Sequence, residues 1–414
     1  IDEIKDEIRA CEDGIAADEK ELLAYVPRRE DLKFAVDYFN MRKEKYEVLG
    51  RLSQTKHAFF ITGYIPMQAA DAIARELAEA YGAHVEISDL EPDEERPVLL
   101  RNNKFAAPVE GVVESFGLPK RGEIDPCSIT AFFYYILFGL MFSDAAYGII
   151  MVFVCAFALI RFKNMSPSMH NSVLLFLYCG LSTIFWGLMF GGFFGDFLPQ
   201  LAGIINPNTT FKALPSLFTP LDDTITILIG AMALGFVQIV TGMAISFVEK
   251  LKKGEIMDAI WEELTWWIVF AGIACMALGV TNIVLYVGLA MVVVGSGWSA
   301  KGFGKVTAIF GSVYNHVTGY FGDILSYSRL MTLMLAGSVI ASVFNTLGAI
   351  PGNVVIFLIV SMLGNGLNFA LNLLSCYVHD LRLQCLEYFG KFYKDGGRPF
   401  KPLAINTKYV DIQS

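Results

Sequence analysis

The stretch Ser361–Arg382, SMLGNGLNFALNLLSCYVHDLR, is apolar enough for a membrane helix and also carries a regular row of polar side chains. These polar residues recur at alternating spacings of 4 and 3, which keeps them on one face of an α-helix. Hydrocarbon disfavours such groups, by roughly 2.5–3.5 kcal/mol for a central arginine, so this face should meet protein or water. We call this row the polar stripe; it consists of Ser361, Asn365, Asn368, Asn372, Ser375, His379 and Arg382.

The polar stripe has two interpretations. Ser and Asn side chains often join membrane helices through hydrogen bonds, and this interpretation is the better one for Asn365 or Ser375 taken alone. Seven polar positions in register, ending in His379 and Arg382, favour a hydrated ion path instead. From Asn353 to Arg382 the helix would be about 44 Å long against a bilayer core of about 30 Å, so it should tilt or project from the membrane.

Composition divides the chain into a soluble and a membrane part. The 414 residues are 54% hydrophobic with a mean hydropathy of +0.49, which is typical of a membrane protein with a soluble portion. Residues 1–100 contain 23 acidic and 13 basic side chains, whereas residues 101–414 contain 18 and 19. We therefore predict an acidic N-terminal arm, a near-neutral membrane domain and no nucleic-acid-binding surface.

The arm is predicted to contain two parts. Residues 1–56 should form a helical coiled-coil arm, with helices at 2–26 and 31–53 joined at Pro27 and a narrow apolar seam. Residues 57–128 should form a small α/β lobe and the return to the membrane, with strands at 59–65 and 85–87 around a helix from Pro66 to about Tyr81. A stalk or docking role suits this arm. Because the chain opens within a helical pattern, we expect a further portion upstream. The seam residues are Ile4, Ile8, Cys11, Ile15, Leu22 and Leu23.

Eight membrane crossings are predicted within residues 129–400, followed by a cytoplasmic tail at 401–414. Keeping every basic cluster in the cytoplasm requires residues 129–161 to be a hairpin of two short spans that turns near Asp144. Asp196 is expected to end a span at the opposite surface. The apolar segments are 129–161, 170–190, 223–248, 259–280, 282–299, 310–346 and 353–390. The basic clusters are Lys120/Arg121, Arg161/Lys163, Lys250/Lys252/Lys253, Lys301/Lys305 and the basic residues after Arg382.

Arg329 is the strongest single candidate for function, because it lies well inside the segment 310–346 and remains charged. One interpretation is an internal salt bridge with Asp323 or Asp144. The other is a fixed positive charge beside which carboxylates of another subunit pass, with Arg382 as a second such group. His379 could then exchange a proton near neutral pH, or it could be a structural histidine.

Other motifs limit the chemistry. Asp144, in FGLMFSDAAYG at 138–148, is predicted to be a packing and turn element with Tyr147 or an arginine as its partner. The sequence has no GxxxxGK[ST], HExxH or GxSxG motif, and its seven cysteines form no CxxC pair. We therefore predict no cofactor, metal cluster, structural disulfide or nucleotide site, and no enzymatic activity of the chain itself.

Taken together, several motifs resemble the membrane subunit of V-type and A-type rotary ATPases, called subunit a or subunit I. The resemblance runs over nearly the whole chain. It departs from the family at Cys127, Ser143 and Ala146, and at Asn372 and Asn315, where relatives can carry glutamate. The motifs are GYIP at 63–66, EIDP at 123–126, residues 138–148, SYSRL at 326–330 and HDLRL at 379–383.

This resemblance implies a stator subunit with a mainly α fold, whose last two of eight membrane helices are long and tilted against a rotating proteolipid ring. Arg329 and Arg382 would face the ring carboxylates, with His379 beside them. The arm would hold peripheral stalk subunits and meet a central-stalk cap subunit. The implied half-channel lining for H⁺ or Na⁺ is Ser361, Asn365, Asn368, Asn372, Ser375, Asp323, Ser326 and Asn315, with Asp144, Tyr147 and Asp196 as structural polar residues.

Two other functions stay open at this point. A secondary transporter could clamp an anionic solute between arginines, although it should then contain internal repeats, which we do not see. A membrane scaffold would not need a charge at Arg329. The short connecting loops favour a bacterial or archaeal cell membrane with the arm in the cytoplasm, and the sequence leaves the choice between H⁺ and Na⁺ open.

Overall fold

The computed structural model describes residues 2–89, 96–120, 122–163, 165–206, 216–219, 223–298, 304–402, 404 and 407–410. The chain divides into two compact units. The arm unit comprises Ile1–Pro97 with Phe400–Ser414, and the membrane unit comprises Val98–Pro399. The finer limits predicted after residues 56, 128 and 400 remain predictions. Arg121 and Lys301 of the basic clusters lie outside the described residues.

The arm unit begins with two helices, as the charge and apolar patterns predict. Helix α1 (Asp2–Tyr25) and helix α2 (Arg29–Arg51) are joined by the 3₁₀ turn Val26–Arg28, which contains Pro27. Proline suits the first turn of a helix because its missing N–H has no partner there in any case. The seam side chains are exposed, with Ile15 and Leu22 at 60% and 69%.

The small lobe of the arm unit differs in part from the prediction. Pro66 precedes α3 (Met67–Tyr81), and Gly82 ends that helix in the left-handed region at φ +61°, as expected. The predicted strand at 85–87 is wrong, since those residues form no strand. Instead β1 (Ser53–Gln54) pairs antiparallel with β2 (Phe59–Phe60), so the predicted strand at 59–65 is also shorter. The reason is local, because the amide of Thr55 donates to the carbonyl of Ala58 (2.7 Å) and closes a tight hairpin.

The end of the chain folds back onto α2. The backbone amides of Lys408, Tyr409 and Val410 donate to the Asp37 carboxylate at 3.1, 2.7 and 3.0 Å. Asp37 is only 2% exposed. Burial raises the pKa of this carboxyl, but the three backbone hydrogen bonds outweigh it, so that the pKa lies below its usual range.

The membrane unit is mainly helical, as predicted. Its strands are β3 (Pro97–Val98), β4 (Leu118–Pro119) and β5 (Asp395–Pro399), of which β4 and β5 pair antiparallel. Its helices are α4 (Glu110–Phe116), α5 (Cys127–Phe142), α6 (Ala145–Arg161), α7 (Pro167–Phe190), α8 (Phe197–Ile205), α9 (Thr224–Lys253), α10 (Ile256–Asp258), α11 (Thr265–Ala277), α12 (Ile283–Trp298), α13 (Gly304–Ser326), α14 (Ser328–Ala349) and α15 (Val354–Arg382).

Five helical segments of the described chain are long and apolar enough to cross a membrane, and three shorter apolar helices accompany them. The three shorter ones are α5, α6 and most of α12. The predicted hairpin at 129–161 is present, because α5 and α6 meet at Ser143 and Asp144. The total of eight crossings remains a prediction. The five longer segments are Pro167–Phe190, Thr224–Lys253, Ile256–Ala277, Val313–Ala349 and Val354–Lys391.

Two features of the last helices were not predicted. The apolar segment 310–346 is interrupted at Tyr327, where α13 ends and α14 begins. After Arg382 the chain continues as a π-helical turn, Leu383–Tyr388, and a 3₁₀ turn, Phe389–Lys391. Such π turns shift the helical register by adding a residue to one turn.

The loop after α7 also corrects a prediction. Gly191 ends α7 in the left-handed region at φ +67°. Asp196 does not end this span, because it lies beyond the helix end, immediately before α8. The reason is that its carboxylate accepts hydrogen bonds from α14 and is held against that helix.

Candidate functional site

We call Ser361, Asn365, Asn368 and Asn372 the upper half of the polar stripe; it is largely buried, and Asn365 and Asn368 are hydrogen-bonded to other helices. Ser361, Asn365 and Asn368 are 1%, 4% and 1% exposed. The hydroxyl of Tyr147 donates to Oδ1 of Asn365 (2.8 Å) and accepts from Nδ2 of Asn368 (3.0 Å). Asn372 in turn donates to Oδ1 of Asn368 (2.8 Å). This part of the stripe therefore joins α15 to α6, and water need not fill it.

The same network continues into α14 and the loop after α7. Nδ2 of Asn365 donates to Oδ1 of Asn345 (3.0 Å). Asn345 donates to the carbonyl of Phe194 (2.7 Å) and to Oδ1 of Asp196 (3.0 Å). The hydroxyl of Ser342 donates to the other oxygen of Asp196 (2.9 Å).

Asp144 occupies the turn between α5 and α6. It accepts from the amides of Ala146 (2.9 Å) and Tyr147 (3.3 Å) at the start of α6. It also accepts from the amides of Phe194 (3.0 Å) and Gly195 (2.8 Å) across the loop. Its partners are thus backbone N–H groups and not the side chain of Tyr147 or an arginine.

A partly open cavity of about 280 Å³ lies beside the carboxylates of Asp144 and Asp196. Its wall contains Asp144, Asp196 and Ser342 at one side and Met334 and Asn372 farther along α14 and α15. Polar groups of this kind can hold water and cations. Asn372 therefore marks the point at which the bonded half of the stripe meets open space.

The lower half of the stripe has a different environment. Ser375 and His379 are half-exposed, and Arg382 is exposed. Arg329 is half-buried, and its Nη1 has no hydrogen-bond partner among the described residues. Within the same set of residues, Nδ1 of His379 also has none. Arg329 lies at the start of α14, and His379 and Arg382 lie in the last turn of α15, the helix that packs against α14.

Arg329 forms neither of the two predicted salt bridges, with Asp323 or with Asp144. Asp323 forms an ion pair with Lys391, and Asp144 is bonded to backbone amides. The hydroxyl of Ser326 donates to Glu387 near the start of α14. Asn315 is exposed on α13 and contacts none of the stripe residues through a described hydrogen bond.

Several polar residues of this region were missed by the sequence analysis. Glu387 is 5% exposed and accepts a hydrogen bond from Ser326, three residues before Arg329. Glu387 lies five residues after Arg382, so it falls outside the 4-and-3 spacing of the polar stripe. The π turn that contains it shifts the helical register, which that spacing does not take into account. Asp380, Gln384 and Gln238 are fully buried. Gln238 could have been noticed as a polar residue inside an apolar span. Its hydrogen-bond partners could not have been predicted, because they are distant in sequence.

The polar face of α15 ends in Arg382, and Arg329 lies on α14, which packs against α15. Both helices belong to a bundle apolar enough to cross a membrane, which is typical of integral membrane proteins. The sequence model of the V-type ATPase 116kDa subunit family matches residues 2–199. Curated relatives extend the similarity over nearly the whole chain. Over nearly its whole length the chain is thus similar to V/A-type ATPase subunit I, also called subunit a.

Three relatives illustrate this similarity. The A-type ATP synthase subunit I of Pyrococcus abyssi is 30% identical over 405 residues, which cover 93% of this chain and 59% of the relative. The corresponding protein of Methanocaldococcus jannaschii is 27% identical over 448 residues, covering 99% and 64%. The V-type ATP synthase subunit I of Borreliella burgdorferi is 28% identical over 380 residues, covering 83% and 60%. The chain spans about three fifths of the length of these relatives.

Proposed function

We propose that this chain is the ion-translocating part of the stator subunit of a V/A-type rotary ATPase in a prokaryotic membrane. Similarity to this family supports the class of complex. The observation that carries the proposal is Arg329, a half-buried guanidinium with an unpartnered Nη1 among the described residues. A permanent charge beside apolar surface is costly unless a partner group meets it.

The missing partner is proposed to be a carboxylate of a rotating proteolipid ring. The face beside Arg382 is apolar and exposed, with Leu371, Leu374 and Val378 at 58%, 63% and 49%. Such a surface suits lipid or the apolar helices of another subunit. Arg329 would favour the ionised form of each passing carboxyl and would repel cations that enter the interface directly.

The cavity of about 280 Å³ supports one half-channel for H⁺ or Na⁺. It is lined by Asp144, Asp196 and Asn372, and the lower stripe residues Ser375 and His379 follow Asn372 at about one and two helical turns. An ion entering the cavity would therefore reach the arginines along a polar face. Asn365 and Asn368 hold the wall of this path rather than conduct, because their side chains bond α15 to α6 and α14. The Ser361 hydroxyl is buried and has no hydrogen-bond partner among the described residues.

The arm unit is proposed to bind peripheral stalk subunits and a central-stalk cap subunit. Its apolar seam is exposed along α1, which suits a partner helix in a coiled coil. ATP would be handled by other subunits, since the chain lacks a P-loop motif. In this role the arm braces the membrane unit against the turning ring.

The experiment compares Arg329→Ala and Arg382→Ala with the parent complex reconstituted into sealed vesicles. We expect Arg329→Ala to abolish ATP-driven cation uptake while the complex still assembles and the soluble sector still hydrolyses ATP. Arg161→Ala is the matched control, because Arg161 is an exposed arginine at the end of α6, outside the site. Runs with H⁺ and with Na⁺ identify the ion.

Undiminished uptake by an assembled Arg329→Ala complex would refute the proposal. A screen of anionic solutes with the same vesicles then examines the secondary-transporter alternative. Equal loss in Arg161→Ala and Arg329→Ala would also count against it, because the effect would not be specific to the site.

A further inference from the structure

A buried hydrogen-bonded bridge links the segments that carry the two arginines. The hydroxyl of Tyr327, which is fully buried at the break between α13 and α14, donates to Oε1 of Gln238 on α9 (3.0 Å). Nε2 of Gln238 donates to Oε1 of Gln384 (2.7 Å). Gln384 lies in the π turn that follows Arg382 and donates to Asp380 (3.3 Å). We call Tyr327, Gln238 and Gln384 the Gln238 bridge.

The packing around Tyr327 leaves this bridge little freedom. A Cβ atom on Gly235 would lie 2.2 Å from Cγ of Tyr327, so the aromatic ring rests directly on the backbone of α9. Gln238 is one helical turn farther along α9 and is 0% exposed. Both amide groups of the bridge are therefore removed from water, where an unmade hydrogen bond is expensive.

The bridge is anchored next to both arginines. Tyr327 stands two residues before Arg329, and Gln384 stands two residues after Arg382. Both arginines are positively charged, and like charges repel each other. A set of buried hydrogen bonds through α9 opposes their separation.

We propose that Gln238 is a positioning residue that fixes the separation of Arg329 and Arg382. This inference rests on the proposed function, since it assigns a role relative to the ion path. It gives α9, which carries none of the predicted site residues, a specific task in coupling. A misplacement of about 1 Å at a reacting group can cost roughly a hundredfold in rate, so a fixed separation matters.

The test uses the whole complex in sealed vesicles and compares Gln238→Leu, Tyr327→Phe, their double variant and Gln238→Glu. The readout is cation uptake per ATP hydrolysed, at equal amounts of assembled complex. Tyr327→Phe, which removes one hydrogen bond of the bridge, should lower this ratio about threefold to tenfold. Gln238→Leu removes two hydrogen bonds and should lower the ratio at least as much. The double variant should be no worse than Gln238→Leu, because both changes break the same bridge.

Gln238→Glu supplies the conservative comparison. A carboxyl buried at this place stays neutral, so it can still accept from Tyr327 and donate to Gln384. It should keep at least half of the parental ratio, whereas Gln238→Leu, of similar size, should not. Ser246→Ala is the control on the same helix, because Ser246 is buried and donates to Glu263 (2.7 Å) away from the arginines.

The outcomes separate this inference from the proposed function. Parental ratios in Tyr327→Phe and Gln238→Leu, with Arg329→Ala inactive, would overturn the inference alone. Equal losses in Gln238→Leu and Gln238→Glu would do the same, since packing and not hydrogen bonding would then matter. Normal uptake in Arg329→Ala would instead refute the proposed function. If Gln238→Leu does not assemble, the volume-conserving Tyr327→Phe decides the question.

Discussion

At the scale of single residues, Tyr147 holds the bonded half of the polar stripe together. Its hydroxyl is both donor and acceptor, so two asparagines of α15 depend on one atom of α6. The spacing of the stripe predicted that these asparagines share a helix face. It could not reveal that Tyr147, more than two hundred residues earlier, is their partner. The polar positions were thus predictable, but their partners, and hence the division into a bonded and an open half, were not.

Replacing Tyr147 by phenylalanine removes one hydrogen-bond donor and one acceptor at a buried site. We expect Tyr147→Phe to lower the free energy of unfolding by about 1 kcal/mol, since hydrogen bonds between membrane helices are worth roughly 0.6–1.7 kcal/mol. The measurement is reversible unfolding of the purified chain in mixed detergent micelles. Tyr286→Phe is the control, because Tyr286 is 67% exposed and should change little. Equal stability of Tyr147→Phe and the parent would contradict the assigned role.

At the scale of elements, close backbone approach shapes the hairpin of α5 and α6 and its contact with α7. A Cβ atom on Gly187 of α7 would lie 2.2 Å from the backbone nitrogen of Ala145 at the start of α6. Only glycine permits that approach. The turn that carries Asp144 is therefore held by packing as well as by hydrogen bonds.

Gly187→Ala should force α7 away from this turn and destabilise the membrane unit by about 1–3 kcal/mol, which is typical of overpacking. The same unfolding assay measures the loss. Gly230→Ala on α9 is the matched control, because no atom lies within 4 Å of its added Cβ. It should leave stability equal or slightly higher, since alanine favours helices. A similar loss for both variants would point to a general intolerance of alanine instead.

At this scale, the elements that could be predicted were those with a clear local pattern in the sequence. Keeping every basic cluster on the cytoplasmic side required two spans within residues 129–161, and the structure contains that hairpin. The break at Tyr327 and the π turn at Leu383–Tyr388 have no proline or glycine to announce them. Both lie where residues distant in sequence make contact, since the Gln238 bridge joins Tyr327 at the break to Gln384 in the π turn. The spacing of residues along one helix therefore could not predict the Gln238 bridge.

At the scale of the whole molecule, the arm unit consists of both ends of the polypeptide. The carboxylate of Asp37 accepts hydrogen bonds from the backbone amides of residues 408–410, so a single side chain holds this segment against α2. An ionised carboxylate accepts such bonds far better than a neutral acid.

This attachment should depend on pH with a definite sign. Because the folded pKa of Asp37 lies below its unfolded value, the stabilisation is complete above the unfolded pKa and is lost as pH falls through the folded pKa. Hydrogen–deuterium exchange at Lys408, Tyr409 and Val410, corrected for intrinsic rates, should therefore lose protection only at acid pH. Asp37→Ala should remove that protection already at neutral pH. Glu47→Ala, on the same helix and exposed, is the control.

The division of the chain has a consequence for how the arm unit is assembled. The polypeptide leaves the arm unit after Pro97 and returns to it at Phe400, so this unit is built from two stretches that are far apart in sequence. The hydrogen bonds from residues 408–410 to Asp37 join these two stretches. The arm unit is therefore completed only when the later stretch is present, long after its helices have been synthesised.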